Sequence, residues 1–263
     1  MRLSIVRYRL TLLVLIILLQ ASRATAAAES VLVATASNMG NAMQELADGF
    51  QKQTGTGVRI VSGSSGNFTR QILQGAPFDL FMSASKAYLD TLRDAGVSIP
   101  RSTELARGRI GFYIPAASPL GDRRTLDEIL NAVKFNEYRL IAYANPEFAP
   151  YGVAARQALE KAGVWVMDIN KQLIGENAAQ AVQFCLTGSV DMCIIPLSYA
   201  KLPEVQKMGR FFLVPADWHE PLRQYIILLN EKNSSAAGFY DFLLGEQASQ
   251  VLVNYGYDPA GNP

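Results

Sequence analysis

The sequence predicts an α/β protein built from two units, each a mainly parallel sheet flanked by helices. Short apolar runs alternate with segments that repeat apolar residues every three or four positions, which is typical of βαβ units. This alternation restarts near residue 110, with neither a sequence repeat nor a low-complexity linker between the halves. Of the 263 residues, 49% are hydrophobic and 18% charged, which excludes a disordered chain.

The first 28 residues differ from the rest and predict a secretory signal peptide. Arg2, Arg7 and Arg9 precede an apolar run at residues 10–19, and small residues follow it. We expect cleavage near Ala26 to Ala28, because the run is too short for a comfortable membrane span. The mature chain would then carry 20 basic and 23 acidic side chains, a net charge of −3. That balance gives no basic surface for nucleic acid and suits an exported, periplasmic protein.

The first unit opens with a buried strand, VLVATA, at residues 31–36. A helix follows it, because Met39, Met43 and Leu46 recur at helical spacing, and Gly55 ends that helix. The remaining elements predicted here are the strands VRIVS and FDLFMSA and the helices FTRQILQG and KAYLDTLRDAG.

The second unit opens with the strand RIGFYIP at residues 109–115. Thr125 and Glu128 have capping-box spacing at the start of the helix TLDEILNAV, and Pro150 stands just before another, YGVAARQALEKAG. The other elements predicted in this unit are the strands YRLIAYA, KQLIG, DMCIIPL and GRFFLVP and the helix ENAAQAVQFCLTG. A further strand, LRQYIILLN, and two C-terminal helices, SSAAGFYDFLLG and EQASQVLVNYG, complete the chain.

Two units without a flexible linker predict a bilobed protein whose chain crosses between the lobes. We expect residues 29–109 with 220–263 to form one lobe and residues 110–219 the other. Ligands of such sheets sit beyond the carboxyl ends of the strands, where helix N-termini point.

Four strand-to-helix junctions carry the same chemistry. They hold small, neutral, donor-rich residues and no lysine, arginine or histidine. Each leaves backbone N–H groups open at the positive end of a helix dipole, and neutral dipoles suit a fully ionised oxyanion. Plain helix capping is the better explanation of any one junction taken alone, but four such junctions in one protein favour a binding site. The residues at the four junctions are Ser37 and Asn38, Ser64 and Ser65, Tyr151 and Gly152, and Asn177 and Ala178.

Other chemistry has little support in the sequence. His219 is the single histidine, and its neighbours ADWHEPL predict an exposed crossing loop. A hydrolase would lack a credible base or metal set, so we expect no enzyme activity. Asp79 is expected to serve as a structural cap or turn partner. Cys185 and Cys193 are either a disulfide of an exported protein or two buried thiols.

At the four junctions the sequence resembles the periplasmic molybdate-binding proteins of ABC importers. The segments that carry the resemblance are ATASNMGNAMQELADGFQKQTG, SGSSGNFTRQILQGAPFDLFMSA, ANPEFAPYGVAARQALEKAG and PLRQYIILL. Together they cover most of the mature chain. The resemblance implies the two-lobed fold of the type II periplasmic binding proteins, whose lobes close over the ligand.

The resemblance also implies a set of oxyanion ligands. These are Ser37 with Asn38 and Ser65 from the first lobe, and Tyr151 with the backbone N–H of Ala178 from the second. In one branch of the family a tyrosine near the end of the DMCIIPL strand supplies a hydroxyl. Pro196 stands there in this chain, which implies that the contact is absent.

From the resemblance we expect a monomer that captures molybdate, and tungstate as well, and delivers it to a membrane permease. No resident cofactor is implied, because molybdenum would be bound as its oxyanion. The alternatives that remain open are a binding protein for sulfate or another small oxyanion, and a sensor of organic anions.

Overall fold

The computed structural model describes residues 30–165 and 168–261. The expected signal peptide at residues 1–28 lies outside them. Within this part of the chain, eleven strands form two sheets, and no helix is long and apolar enough to cross a membrane. In chain order the strands are β1 (Val31–Ala36), β2 (Val58–Gly63), β3 (Leu80–Ser83), β4 (Arg101–Gly108), β5 (Ile110–Pro115), β6 (Ile141–Ala144), β7 (Gln172–Gly175), β8 (Met192–Pro196), β9 (Gly209–Leu213), β10 (Leu222–Leu228) and β11 (Asp258–Pro259).

The helices flank these sheets. In chain order they are α1 (Gly40–Thr54), α2 (Ser65–Leu73), α3 (Lys86–Asp94), α4 (Leu126–Lys134), α5 (Pro150–Lys161), α6 (Ala178–Leu186), α7 (Leu197–Ala200), α8 (Pro203–Met208), α9 (Ser234–Leu243) and α10 (Glu246–Asn254). Short 3₁₀ turns cover Ser37–Met39, Ile169–Lys171 and Ala216–Trp218.

The first sheet has the strand order β11-β4-β10-β3-β1-β2, and the second has the order β7-β6-β8-β5-β9. Each sheet contains three mutually parallel strands: β1 pairs with β2 and β3, and β6 pairs with β7 and β8. Antiparallel strands extend each sheet from β3 and from β8. The predicted α/β fold is therefore confirmed, with parallel strands where the four junctions lie. We call the first sheet with its flanking helices the first unit, and the second sheet with its flanking helices the second unit.

The chain crosses between the units twice. Residue 109 separates β4 of the first sheet from β5 of the second, and residues 214–221 lead back from β9 to β10. At the first crossing Gly108 leaves no room for a side chain, because a Cβ there would lie 1.9 Å from the Tyr151 hydroxyl oxygen.

Helical periodicity explains the packing of the first unit. Met43, Leu46 and Phe50 are buried along one side of α1, with Met39 of the preceding turn, against Phe239 of α9. On the opposite face of the sheet a second cluster contains Phe68, Ile72, Phe81, Leu89 and Leu92. Helices on both faces leave only the ends of the strands for a ligand.

The predicted elements are present with small differences at their ends, but the strands β4 and β11 and the short helices α7 and α8 were missed. β4 has the sequence RSTELARG and lies beside β10 in the first sheet. Its residues are mostly half-buried, and Glu104 pairs with Arg107 and Arg223 at 2.9 and 2.8 Å. A strand whose charged residues pair within it and with a neighbouring strand has no apolar run that the sequence could reveal.

The two cysteines are joined by a disulfide. Cys185 near the end of α6 is bridged to Cys193 in β8, with Cα atoms 6.2 Å apart. Of the two alternatives left open by the sequence, the structure contains the bridge. The bond ties the helix that starts at one of the four junctions to the neighbouring strand.

Candidate functional site

The four junctions lie at the carboxyl ends of two pairs of neighbouring parallel strands. In the first sheet Ala36 is in register with Gly63, so the residues after β1 and β2 share one edge. In the second sheet Ala144 is in register with Gly175, which does the same for the loops after β6 and β7. Contacts between these two edges close a cleft between the units.

Ser37 and the start of α6 meet across this cleft. Ser37 is buried and begins the 3₁₀ turn that leads into α1. Its hydroxyl oxygen accepts a hydrogen bond from the N–H of Ala179 at 3.3 Å. Ala178 is the first residue of α6 and is buried, and the Asn177 side chain caps the helix through the N–H of Gln180. The structure thus brings Ser37 and Ala178 together.

Asn38 and Tyr151 also meet, within a buried polar cluster. The Asn38 amide nitrogen lies 3.1 Å from the Tyr151 hydroxyl, 2.9 Å from Gln224 Oε1 and 3.0 Å from the Tyr257 hydroxyl. The Asn38 amide group therefore bonds to protein partners on three sides. Through it the second-unit residue Tyr151 is connected to β10 and to the C-terminal segment of the first unit.

The two serines of the segment GSSG, at residues 63–66, have different roles. Helix α2 begins at Ser65, three residues earlier than predicted, and the hydroxyl of Ser64 caps it by accepting from the N–H of Asn67. Ser65 is fully buried, and its hydroxyl oxygen accepts from the N–H of Ala84 at 3.1 Å. Since an oxygen that accepts can also donate, the Ser65 hydroxyl remains free to donate its proton.

A second set of contacts joins the units beside Ser65. The carbonyl of Phe148 accepts from the N–H of Gly66 at 2.9 Å and from the Tyr88 hydroxyl at 3.2 Å. Asn67 donates to Glu176 at 2.7 Å, and the guanidinium of Arg70 lies 4.6 Å from the centre of the Phe148 ring. Arg70 of the first unit thus stacks on an aromatic ring of the second unit.

Three residues of the cleft were missed by the sequence reasoning. The Tyr199 hydroxyl donates to the carbonyl of Ser37 at 2.8 Å. The carbonyl of Asn38 accepts from Ser198 at 2.8 Å and from the Tyr257 hydroxyl at 2.7 Å. Tyr199 lies three residues after Pro196, the position at which one branch of the family has a tyrosine, so the segment PLSYA held a usable signal. Tyr257 has no such local signal.

The hydroxyls of the cluster are neutral donors. Burial raises the pKa of Tyr151 well above its ordinary value of 10.0, and it also raises the pKa of Tyr257. Burial raises the pKa of Tyr199 to about 12. These phenols therefore keep their protons at physiological pH, since the charged form would be poorly solvated.

No group of three or more His, Cys, Asp or Glu side chains in the described residues could hold a metal ion. The arrangement at the cleft is instead a set of hydroxyl and N–H donors at two helix N-termini. Such donors stabilise a bound anion by charge-assisted hydrogen bonds.

The expectation that His219 is exposed was wrong. The side chain is buried in the second crossing, where its Nδ1 lies 2.8 Å from the carbonyl oxygen of Glu220. The N–H of Glu220 in turn donates to Gln157 of α5, which holds the crossing against the second unit. Burial lowers the pKa of His219, so the imidazole is neutral at physiological pH.

Asp79 has the structural role that was expected of it. It is buried, and its carboxylate accepts from the N–H of Leu32 and from the side chain of Asn230, both at 2.8 Å. It therefore ties β1 to the segment after β10.

The chain is similar to known proteins along most of its length. A family model described as bacterial extracellular solute-binding protein matches residues 31–258. Molybdate-binding protein ModA of Azotobacter vinelandii is 32% identical over 235 residues, which are 88% of this chain and 91% of that protein. The protein of the same name from Escherichia coli (strain K12) is 30% identical over 240 residues, 90% of this chain and 92% of that one.

The similarity extends to three-dimensional structure. The solved structure of the periplasmic molybdate-binding protein of Azotobacter vinelandii superposes with a TM-score of 0.80 at 28% sequence identity. The match covers 88% of this chain and 100% of that one.

Proposed function

The chain belongs to the bacterial extracellular solute-binding proteins, and from this premise we propose that it captures molybdate, and tungstate as well, for an ABC importer. Its relatives in Azotobacter vinelandii and Escherichia coli are named for molybdate, and the match spans most of each chain. We infer that the protein is exported to the periplasm, acts as a monomer without enzyme activity, and delivers its ligand to a membrane permease.

The observation that carries this proposal is the contact between two junctions from different units. Ser37 Oγ and the N–H of Ala179 are 3.3 Å apart, so polar groups of both units meet at one point in the cleft. A tetrahedral dianion fits such a place, because hydroxyl and N–H groups of both units can donate to it, and these neutral donors stabilise the anion without a counter-ion.

Each predicted site residue has a role in this proposal. The hydroxyls of Ser37, Ser65 and Tyr151 donate to the oxyanion, and Ala178 contributes its backbone N–H. Asn38 contributes its backbone N–H, because its side-chain amide already bonds to Tyr151 and its partners. No cofactor takes part, since molybdenum is bound as the oxygen-coordinated anion.

The two units act as lobes, residues 29–109 with 220–263 and residues 110–219, that open to admit the ligand and close over it. The hydrogen bonds across the cleft support this motion, because the surfaces that they join have to separate before a ligand can enter.

Sulfate or another small oxyanion is the alternative ligand, because the same donors would bind any tetrahedral dianion. Molybdate is larger than sulfate, so the size of the closed cleft decides between them. Calorimetric titration of the mature protein with molybdate, tungstate, sulfate and phosphate tests the proposal. We expect tight binding of similar affinity for molybdate and tungstate, and no heat of binding for sulfate and phosphate. Sulfate binding as tight as molybdate binding would reject the proposed function.

A further inference from the structure

We propose that Tyr199 and Ser198 are positioning residues of the oxyanion site: they latch the second unit onto the backbone of Ser37 and Asn38 and aim that backbone at the ligand. This inference rests on the proposed function. Neither side chain has to touch the oxyanion.

The latch consists of two hydrogen bonds between the units. Ser198 and Tyr199 lie in α7, directly after β8 of the second sheet. Tyr199 donates to the carbonyl of Ser37 and Ser198 to the carbonyl of Asn38, both at 2.8 Å. The two accepting carbonyls belong to the turn that follows β1 of the first sheet.

Holding the carbonyls fixes the direction of the N–H groups. In a trans peptide the C=O and the N–H point in opposite directions, and no cis peptide occurs in the described residues. The carbonyl of Ser37 and the N–H of Asn38 belong to one peptide unit, and the carbonyl of Asn38 and the N–H of Met39 to the next. A donor that holds each carbonyl on one side therefore holds these N–H groups on the other side, and it is there that the proposal places the oxyanion. They are also among the first N–H groups of a helical segment, which have no partner within the helix.

The second unit therefore forms hydrogen bonds with two atoms of Ser37. Its hydroxyl oxygen accepts from the N–H of Ala179, and its carbonyl accepts from Tyr199. These contacts come from α6 and from α7, which directly follows β8, and the disulfide between Cys185 and Cys193 joins α6 to β8. Because the disulfide cross-links these segments of the second unit, they move as one body when the cleft closes.

The test compares two tyrosine-to-phenylalanine variants of the mature protein. Tyr199→Phe removes a hydroxyl that bonds across the cleft. Tyr113→Phe is the matched control, because the Tyr113 hydroxyl donates to the carbonyl of Val205 at the same 2.8 Å but within the second unit. Each variant is measured for molybdate affinity by calorimetry, for dissociation rate by stopped-flow tryptophan fluorescence, and for the melting temperature without ligand.

The latch predicts opposite results for the two variants. Tyr199→Phe should bind molybdate about three- to tenfold more weakly, with a dissociation rate raised by a similar factor and an unchanged melting temperature without ligand. Tyr113→Phe should lower the melting temperature and leave the dissociation rate unchanged. Ser198→Ala provides a second variant, and it should also speed dissociation.

The outcomes separate this inference from the proposed function. If the unaltered protein binds none of the four oxyanions, the proposed function fails. If it binds molybdate and both Tyr199→Phe and Ser198→Ala dissociate at its rate, the latch is rejected while the function stands. A Tyr199→Phe variant that melts earlier without ligand and dissociates at the normal rate would make Tyr199 a structural residue and would also reject the latch.

Discussion

Replacing Gly66 by alanine should weaken ligand binding while leaving the ligand-free protein as stable as before or slightly more stable. Gly66 is the second residue of α2 and does not have a positive φ, so alanine fits its backbone conformation. A glycine-to-alanine change at a compatible position stabilises a protein by about 0.4–1 kcal/mol. The closed cleft opposes this gain, because an added Cβ would lie 2.8 Å from the carbonyl oxygen of Phe148 and 3.1 Å from its Cα.

The added Cβ would also lie 2.9 Å from the Tyr88 hydroxyl of the first unit, which is the end of a side chain that can turn aside in the open form. The cost of the clash with the Phe148 backbone falls on the closed form alone. Phe148 belongs to the second unit, and its loop is held by its own N–H bond to the carbonyl of Asn145, so the backbone cannot move aside cheaply. Overpacking of this kind costs about 1–3 kcal/mol, which corresponds to an increase in Kd of about five- to 150-fold. Opening of the cleft relieves the contact, which is why stability without ligand is spared.

Calorimetry with molybdate and urea unfolding without ligand measure the two effects. Gly238→Ala is the control, since it also lies in a helix and its Cβ would meet nothing nearer than Phe50 at 3.7 Å. It should match Gly66→Ala in stability and the unaltered protein in affinity. Unchanged affinity of Gly66→Ala would refute the reasoning and show that the contact between Gly66 and Phe148 is not needed for binding.

Three further predictions concern the site and the stability of the fold. Ser37→Ala and Ser65→Ala should each weaken molybdate binding by about ten- to hundredfold, because each removes a hydrogen bond to a charged ligand; calorimetric affinities equal to that of the unaltered protein would leave these residues as structural polar groups. The pKa of His219 is lowered in the folded state, so the unfolded chain takes up the proton first, and stability should be full above the ordinary pKa of 6.5 and fall as the pH drops through the folded value. Urea unfolding between pH 5 and 8 would show this slope, and His219→Gln should flatten it. The double variant Cys185→Ala and Cys193→Ala should lose about 2–3 kcal/mol of unfolding free energy, because the bridge closes a short loop of the unfolded chain; two free thiols in the unreduced, denatured protein would contradict the bridge itself.

Local patterns in the sequence predicted most of the fold. The spacing of Met39, Met43 and Leu46 reflects the buried side of α1 and of the turn before it, and the capping box at Thr125 and Glu128 is formed as expected. β4 escaped notice because its charged residues, such as Glu104 with its partners Arg107 and Arg223, leave it without an apolar run. A buried segment can be recognised in a sequence only when the residues that it buries are apolar.

Contacts between distant residues explain what the sequence could not supply. Tyr199 and Ser37 are 162 positions apart, and Tyr257 and Asn38 are 219 apart, so no periodicity links them. His219 was misjudged for a related reason. Its polar neighbours indicated exposure, but the crossing is held against α5 by the bond between Glu220 and Gln157.

The hydrogen bonds that join the two units without touching the ligand have a consequence for the affinity of the protein. A protein that must adopt a competent form before or during binding shows its intrinsic dissociation constant divided by the fraction of molecules in that form. The bonds of Tyr199 to Ser37 and of Gly66 to Phe148 raise this fraction, whichever anion occupies the cleft. Affinity can therefore be tuned at such positions with selectivity unchanged. Strengthening them has an upper limit, because an importer has to tell loaded molecules from empty ones, and an empty molecule that stays shut would compete for the same permease.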